Sequence, residues 1–236
     1  MFDQPILAID TSTSACSVAL QMPKGQIFSE QAFGSTVHSQ ALLPMLEKLL
    51  DKQGITLHEC AAIGVCKGPG SFTGLRIGIG VAQGLAYGQG LPMFGFSSLA
   101  ALVAQQQDDV QTPYLAAIDA RMGEVYWADS ASLDWSTGEL DIGLNAPEAL
   151  ASNLSQRASE QHGCLVGNAW HAYPAMRENN ELSSWQSFEA TDLVKTYPLA
   201  QGQFALLNKV GDSVLMDAFE FEPVYVRNQV AKVASK

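Results

Sequence analysis

Short apolar runs separated by small or polar residues predict a sheet in the first third of the chain. Residues 6–10 (ILAID) form one run, the small residues of TSTSA predict a turn, and residues 16–20 (CSVAL) form a second run. Residues 25–29 are the third predicted strand, and residues 61–66 (AAIGVC) the fourth. The chain therefore opens with a predicted β-meander, and a buried strand follows it.

Helical spacing of apolar residues predicts three helices in the same part of the chain. The first runs from an N-cap at Ser39 to about residue 52, and its leucines recur every three or four positions. The second spans residues 72–87. A short strand at residues 92–95 separates it from a serine-capped helix at residues 97–106.

The pattern restarts after the polar segment at residues 105–112, which we interpret as a domain boundary. Residues 114–119 (YLAAID) resemble the opening ILAID, and residues 124–129 (EVYWAD) predict a paired strand. The repetition favours a duplicated domain, divided into residues 1–107 and 108–221 with a tail at 222–236. Further elements are predicted as helices at 146–157 and 199–210, a strand at 164–167 and a loop at 179–186.

Composition narrows the function classes. The 236 residues carry a formal charge of −11 at a pI near 4.6, which argues against a basic nucleic-acid surface. Four cysteines without a CxxC pair predict buried free thiols. The amino-terminal segment lacks a basic region followed by a long apolar run, and no stretch is a convincing membrane span, so we expect a cytoplasmic protein.

The segment KGPGSFTGLRIG at residues 67–78 combines glycines, hydroxyls and cations before a helix. Its spacing fits neither the GxxxxGK[ST] phosphate loop nor the GxGxxG dinucleotide loop. A helix that begins after a glycine turn still favours an anion, because its first N–H groups are unpaired. Ser71 is explained equally well as an N-cap.

Two glycine tracks continue along the helix, each with four-residue steps. Gly70, Gly74 and Gly78 form one track, and the other track consists of Gly80, Gly84 and Gly88. A glycine inside a helix costs roughly 1 kcal/mol relative to alanine. Close packing must offset this cost, so the helix is predicted to be buried in the core, in a subunit interface, or in both.

Five motifs occur in one order: ILAIDTSTSACSVAL, HSQALLPML, GPGSFTGLRIG, DARMGEVY and EPVYVR. Together they resemble the bacterial TsaB (YeaZ) family, over most of the chain between residues 6 and 227. The resemblance implies the α/β fold of the actin/Hsp70/sugar-kinase (ASKHA) superfamily, with two related α/β subdomains around a cleft. It also implies a paralogue of TsaD that lacks catalytic activity.

By this resemblance the chain is a scaffold and dimerisation partner of TsaD. With TsaE, the two make N6-threonylcarbamoyladenosine at position 37 of tRNAs that read ANN codons. The resemblance also implies a homodimer in isolation and only indirect contact with tRNA. No cofactor is intrinsic, and ATP or ADP is an option at the junction with partner subunits.

The candidate site residues fall into two groups. Candidate nucleotide or phosphate contacts are Asp10, Thr11, Ser12, Thr13, Ser71, Thr73, Arg76 and Arg121. Candidate partner contacts are Leu42, Leu46, Gly70, Gly74, Leu75, Gly78, Ile79, Val81, Ala82 and Leu85. No metal site is expected, because TsaD-type proteins place two metal-binding histidines where this chain has Ser98 and Leu102.

Several alternatives remain open at the level of sequence. Asp10 and Asp119 suit an ATP-dependent phosphotransferase or ATPase of the same superfamily, and a glycoprotease-like metallopeptidase is a weaker alternative. Asp10 equally suits a turn cap, and Asp119 suits an ion pair with Arg121. Arg76 is predicted either to bind an acidic group or to form an internal salt bridge. His38 is interpreted as a polar surface residue.

Overall fold

Two five-stranded mixed sheets form the framework of the protein. The computed structural model describes residues 2–34, 37–106, 112–150, 162–178, 182 and 185–226. In the first sheet the spatial order is β3-β2-β1-β4-β5. Its strands are β1 (Ile6–Asp10), β2 (Ala15–Gln21), β3 (Ile27–Phe33), β4 (Ala62–Val65) and β5 (Met93–Phe94). All five predicted strands of this half are confirmed, although β3 begins two residues later than predicted and is longer.

The second sheet has the order β10-β9-β6-β7-β8. Its strands are β6 (Tyr114–Arg121), β7 (Glu124–Asp129), β8 (Gly143–Asn145), β9 (Cys164–Val166) and β10 (Gln186–Ser187). In each sheet an antiparallel three-stranded meander is extended by two parallel strands on the side of its first strand. The two halves therefore share one topology, as the repeated ID-ending strands predict. The sequence pattern missed β8, and it missed β10 at the end of the predicted loop.

Four helices of seven or more residues belong to the described chain. They are α1 (Val37–Gln53), α2 (Phe72–Gln89), α3 (Ser98–Ala104) and α4 (Gln201–Val210). Two four-residue helices, Ala169–Ala172 and Leu193–Thr196, lie in the second half. Residues 147–150 are helical, while residues 151–157 of the same predicted helix lie outside the described part.

Serine caps set two of the helix starts. The Ser71 hydroxyl accepts a hydrogen bond from the Gly74 N–H at the start of α2, and Ser97 accepts one from the Ala100 N–H at the start of α3. The predicted cap at Ser39 is wrong, because α1 already begins at Val37 and Ser39 lies inside its first turn.

The two sheets and their helices form layers with three apolar cores. Strand β1 is buried on both faces: Ile6 and Ala8 point to the central core, whereas Leu7 and Ile9 point to the core beneath α1 and α2. The central core lies between the sheets and also contains residues of α3 and α4. A third core, around Trp170, covers the far face of the second sheet. Near-continuous apolar strands are what a sheet covered on both faces requires.

Helix α4 is tied to the first half of the chain by buried polar groups. The Gln203 side chain is fully buried, and its Oε1 accepts a hydrogen bond from the Phe96 N–H at 2.8 Å. Just before α4, the Ala200 N–H donates to Ser17 Oγ at 2.7 Å. The α4 segment, which belongs to the second half of the chain, therefore packs against the first half and closes the central core. The domain boundary at 107/108 stays a prediction, since residues 107–111 lie outside the described part.

Gln203→Leu is expected to lower the free energy of unfolding by about 1–3 kcal/mol, because it leaves the buried Phe96 N–H without an acceptor. Urea denaturation of the two proteins measures the difference. Asn208→Leu, at an exposed position of the same helix, is the matched control and should change stability by less than about 0.5 kcal/mol. Equal effects of the two substitutions would contradict this role for Gln203.

Candidate functional site

A cleft of about 290 Å³ lies where the two halves meet. Six parts of the chain line it: the turn between β1 and β2, the start of α1, the start of α2 with the turn before it, strands β6 and β7 near their hairpin, Asn168 after β9, and residues 224–226 near the carboxyl end of the described chain. Seven residues of the two candidate groups line this cleft. Their actual contacts decide which of them can meet a ligand.

The turn after β1 is closed by its own side chains. The Ser12 N–H and hydroxyl both donate to Asp10 Oδ1, at 2.9 and 2.6 Å. The Thr11 hydroxyl donates to the Gly74 carbonyl at 2.8 Å, and Thr13 Oγ1 accepts from the Ala15 N–H at 3.2 Å. These four turn residues, 10–13, are all buried, and only Ser12 and Thr13 line the cleft.

Asp10 lies below the cleft in a fully buried position. Burial raises the pKa of its carboxyl to about 6, although the hydrogen bonds of Ser12 and the nearby Cys66 thiol lower this pKa in part. Within the described chain, Asp10 Oδ2 has no conventional hydrogen-bond partner. The geometry matches the turn-cap interpretation of Asp10, because the hydrogen bonds of Oδ1 fix the backbone of the turn.

The start of α2 presents Ser71 and Thr73 to the cleft. The Ser71 N–H donates to the Ser12 carbonyl at 2.7 Å, which fixes the helix start against the β1–β2 turn. Among the described residues, no acceptor is found for the N–H groups of Phe72 and Thr73. These are the first N–H groups of the helix, which have no partner within it.

The hairpin between β6 and β7 places Asp119 and Arg121 on the opposite wall. Arg121 Nη1 lies 3.2 Å from Asp119 Oδ2, and the Arg121 N–H donates to Asp119 Oδ1 at 2.8 Å. The Tyr173 hydroxyl also donates to Asp119 Oδ1, at 3.0 Å. Arg121 and Met122 have φ angles of 62° and 56°, as a tight hairpin turn requires. The ion-pair interpretation of Asp119 and Arg121 is therefore confirmed.

Arg76 does not line the cleft. Its guanidinium carbon lies 3.7 Å from the centre of the Phe72 ring, and its Nε donates to the Tyr225 hydroxyl at 3.4 Å. In the described part of the chain no carboxylate forms an ion pair with Arg76, so the predicted internal salt bridge is absent there.

His38 is buried, which corrects its interpretation as a surface residue. Only 6% of its surface is exposed, and it lines the cleft at the start of α1. Its Nε2 has no hydrogen-bond partner among the described residues. The spacing of His38, Leu42, Leu46 and Leu49 could have revealed this position, because these residues recur along the buried stripe of α1.

Most of the candidate partner contacts lie inside the chain. Leu42 and Leu46 belong to the core beneath α1 and α2, and each is at most 3% exposed. The α2 side chains of Leu75, Ile79 and Ala82 are buried as well. In this conformation none of these five apolar side chains is available to a partner, so the structure corrects their assignment to the interface.

The first glycine track faces inward. A Cβ atom on Gly70 would lie 2.2 Å from the Ser12 carbonyl oxygen, and one on Gly74 would lie 2.1 Å from the Thr11 carbonyl oxygen. A Cβ atom on Gly78 would lie 2.2 Å from Thr11 Oγ1. These three glycines allow α2 to approach the β1–β2 turn. Their predicted role in contacting a partner is therefore corrected to a contact within the chain.

The second glycine track faces outward. Gly80, Gly84 and Gly88 are exposed, and a Cβ atom added to any of them would meet no described atom within 4 Å. Tyr87 and Phe219, which are 67% and 75% exposed, pack edge to face beside this track. We call these five residues the outer glycine face. Two of the candidate partner contacts, Val81 and Leu85, are only partly buried on the same helix.

The positions expected to lack metal ligands carry structural side chains. The Ser98 hydroxyl donates to the Pro69 carbonyl at 2.5 Å, and Leu102 is fully buried in the central core. Within the described residues, no three His, Cys, Asp or Glu side chains are grouped in a way that would hold a metal ion. All four cysteines are buried free thiols, as predicted. None of the described helices is long and apolar enough to span a membrane.

The chain is similar in sequence and in structure to known proteins of one family. The family described as "TsaD: tRNA N6-adenosine threonylcarbamoyltransferase" matches residues 25–160. The Escherichia coli protein "tRNA threonylcarbamoyladenosine biosynthesis protein TsaB" is 39% identical over 234 residues, which cover 96% of each chain. The solved structure of YeaZ from Pseudomonas aeruginosa has a TM-score of 0.76 at 32% identity, over 94% of this chain and all of that one.

A more distant structure shows the fold alone. The activator of the 2-hydroxyisocaproyl-CoA dehydratase from Clostridium difficile, solved with bound ADPNP, has a TM-score of 0.52 at 11% identity. The two topologically equivalent halves around a cleft are the α/β fold of the actin/Hsp70/sugar-kinase superfamily, as the sequence resemblance implies. With matching motifs, topology and near full-length similarity, the chain belongs to the TsaB (YeaZ) family of tRNA threonylcarbamoyladenosine biosynthesis proteins.

Proposed function

We propose that this chain is a non-catalytic subunit that binds TsaD and, with TsaE, supports the formation of N6-threonylcarbamoyladenosine at position 37 of tRNAs that read ANN codons. Its Escherichia coli and Haemophilus influenzae relatives are named as tRNA threonylcarbamoyladenosine biosynthesis proteins, which supports a role in this pathway. The observation that carries the subunit role is the outer glycine face.

Three exposed glycines in the middle and end of one helix have no explanation within the described chain. Each costs roughly 1 kcal/mol of helix stability relative to alanine, and none makes a close contact with described residues. Glycine is favoured where another backbone must approach closely. The inward track of α2 illustrates this, because each of its glycines meets the β1–β2 turn. By the same reasoning, the outward track fits a partner helix.

The surroundings of this track have the composition of an interface. Tyr87 and Phe219 expose aromatic rings beside it, and Leu43 on the neighbouring helix α1 is 53% exposed. Exposed aromatic residues in a contiguous patch are typical of protein contact sites. TsaD is the proposed occupant, and a second copy of this chain covers the same surface when TsaD is absent.

The cleft favours a supporting role over phosphoryl transfer. Asp10 is buried below the cleft and holds its own turn, whereas Asp119 is engaged by Arg121 and Tyr173. A phosphotransferase needs a carboxylate that reaches the substrate or its magnesium ion. ATP or ADP is therefore proposed only at the junction with partner subunits. The charge of −11 supports an indirect contact with tRNA.

Gly84→Arg is expected to weaken binding to TsaD at least tenfold while leaving the fold intact, because the position is open to solvent and a long side chain would separate the partner surfaces. A pull-down with TsaD and gel filtration of the isolated chain measure the loss. The tRNA modification assay, with this chain omitted and then restored, tests the pathway role.

Asn208→Arg places the same side chain at an exposed position of α4, away from the outer glycine face, and is the matched control. It should bind TsaD and restore modification as the unmodified chain does. If Gly84→Arg binds and restores equally well, the outer glycine face is not the partner surface. If modification is unchanged when the chain is omitted, the proposed function is wrong.

A further inference from the structure

We propose that the cleft binds a small organic phosphate or carboxylate, whose anionic group is held by the start of α2 and by His38. This inference goes beyond the proposed function and does not depend on TsaD, because every residue involved belongs to this chain. Of the candidate phosphate contacts predicted from sequence it keeps Thr73. It adds Phe72 and His38, and it leaves out Asp10, Thr11 and Arg76, which do not line the cleft.

The start of α2 supplies the first set of donors. The helix has 18 residues, and its first two residues, Phe72 and Thr73, line the cleft. Their N–H groups have no acceptor among the described residues, whereas the next N–H, of Gly74, is taken by Ser71 Oγ. Two adjacent unpaired N–H groups at a helix start favour an anion, and the helix dipole adds to this preference.

His38 gives an independent indication of a ligand. The side chain is 6% exposed, lines the same cleft and leaves Nε2 without a partner in the described chain. A buried ring nitrogen without a hydrogen bond is unfavourable, so a polar group of a ligand is a natural partner for it. When Nε2 carries its proton, it donates a hydrogen bond to an anionic oxygen. His38 thereby adds a third donor to the two helix N–H groups.

The opposite wall adds little net charge. The Arg121 side chain is 75% exposed at the cleft, but it is paired with Asp119, which lines the same wall. Hydrogen-bond donors, rather than net positive charge, therefore provide the attraction. We accordingly expect binding to distinguish oxyanions from chloride and to depend only moderately on ionic strength.

The cavity also limits the size and character of the ligand. Its volume of about 290 Å³ lies at the lower end of the range for small-molecule sites. Leu75, Tyr126, Val224 and Tyr225 contribute apolar surface to the lining. An oxyanion with a small organic body fits these walls, whereas a dinucleotide is too large.

The test is a titration of the full-length isotope-labelled chain with inorganic phosphate and, separately, with acetate at constant ionic strength. Amide NMR shifts at Phe72 and Thr73 report binding. Phe72→Pro removes one of the two N–H donors at a helix position that accepts proline, and the Ser71 ψ of 118° suits a residue before proline. Phe72→Ala is its matched control, because it removes the ring and keeps the N–H group.

We expect saturable shifts with one or both oxyanions and none with chloride. Phe72→Pro and His38→Leu should weaken binding at least fivefold, whereas Phe72→Ala and His38→Gln, which keeps a side-chain N–H donor, should stay within twofold. The stronger of the two arms identifies the anionic group as phosphate or carboxylate. Circular dichroism tests whether each variant is folded. If His38→Leu is unfolded, the comparison of Phe72→Pro with Phe72→Ala alone tests the proposed oxyanion site.

Three results would overturn the proposal: shifts that do not saturate, equal shifts with chloride, or equal binding by Phe72→Pro and Phe72→Ala. None of these results bears on the partner role, because binding to TsaD is measured separately. Conversely, loss of TsaD binding in Gly84→Arg leaves the oxyanion titration unchanged if both proposals hold.

Discussion

Gly74→Ala is expected to lower the free energy of unfolding by roughly 3 kcal/mol or more. The added Cβ atom would lie 2.1 Å from the Thr11 carbonyl oxygen, a backbone atom that cannot rotate away. Thr11 is itself held, because its hydroxyl donates to the Gly74 carbonyl. Either α2 or the β1–β2 turn must therefore shift. Urea denaturation followed by circular dichroism measures the loss.

Gly84→Ala provides the opposite control on the same helix. Its Cβ atom would meet no described atom, so the isolated chain should gain up to about 1 kcal/mol from the better helix propensity of alanine. If both substitutions changed stability by the same amount, the division of the glycines into an inward and an outward track would be wrong. The comparison also shows why Gly74 is unsuited to tests of partner binding, since its replacement disturbs the fold.

Asp10→Asn is expected to remove a pH-dependent loss of stability. The pKa of the Asp10 carboxyl rises from 3.8 to about 6 on folding, because burial disfavours its charged form. The protonated carboxyl is favoured in the folded state. The stability that it contributes is fully present below the unfolded pKa and is lost as the pH rises through the folded pKa. The difference between the folded and unfolded pKa values corresponds to a loss of at most about 3 kcal/mol in the free energy of unfolding at neutral pH.

The measurement compares urea denaturation of the two proteins at about pH 4.5 and about pH 7.5. The free energy of unfolding of Asp10→Asn, relative to that of the unmodified chain, should be higher at pH 7.5 than at pH 4.5 by about 2 kcal/mol. Asparagine keeps the oxygen that accepts from Ser12, so the turn is retained, and other carboxyls cancel in the comparison. If the stability difference between the two proteins were independent of pH, Asp10 would not be the buried titrating group.

The local features of this fold could be predicted from sequence because they depend on local chemistry. The apolar runs ILAID and YLAAID have the length and composition of strands buried on both faces, and both strands are confirmed. Ser71 and Ser97 are helix caps because a short hydroxyl side chain satisfies an otherwise unpaired N–H group. The cap predicted at Ser39 is wrong because Val37 and His38 already belong to the helix.

The candidate site could be predicted only in part. Ser12, Thr13, Ser71, Thr73 and Arg121 do meet at one cleft, as the resemblance to a two-domain superfamily suggests. His38 was missed, because a histidine followed by serine and glutamine looks like a surface residue until the buried stripe of α1 is traced around the helix.

The sequence by itself determined most of the elements, their repetition and the family, because hydrophobic spacing and the motif GPGSFTGLRIG are local properties of the chain. Only the tertiary structure decided which glycines contact the rest of the chain and which face outward. Spacing places Gly74 and Gly84 on tracks with identical four-residue steps, yet one lies against the Thr11 carbonyl and the other lies open. The orientation of a helix about its axis depends on what packs against it, and in this protein the β1–β2 turn, distant in sequence, fixes that orientation.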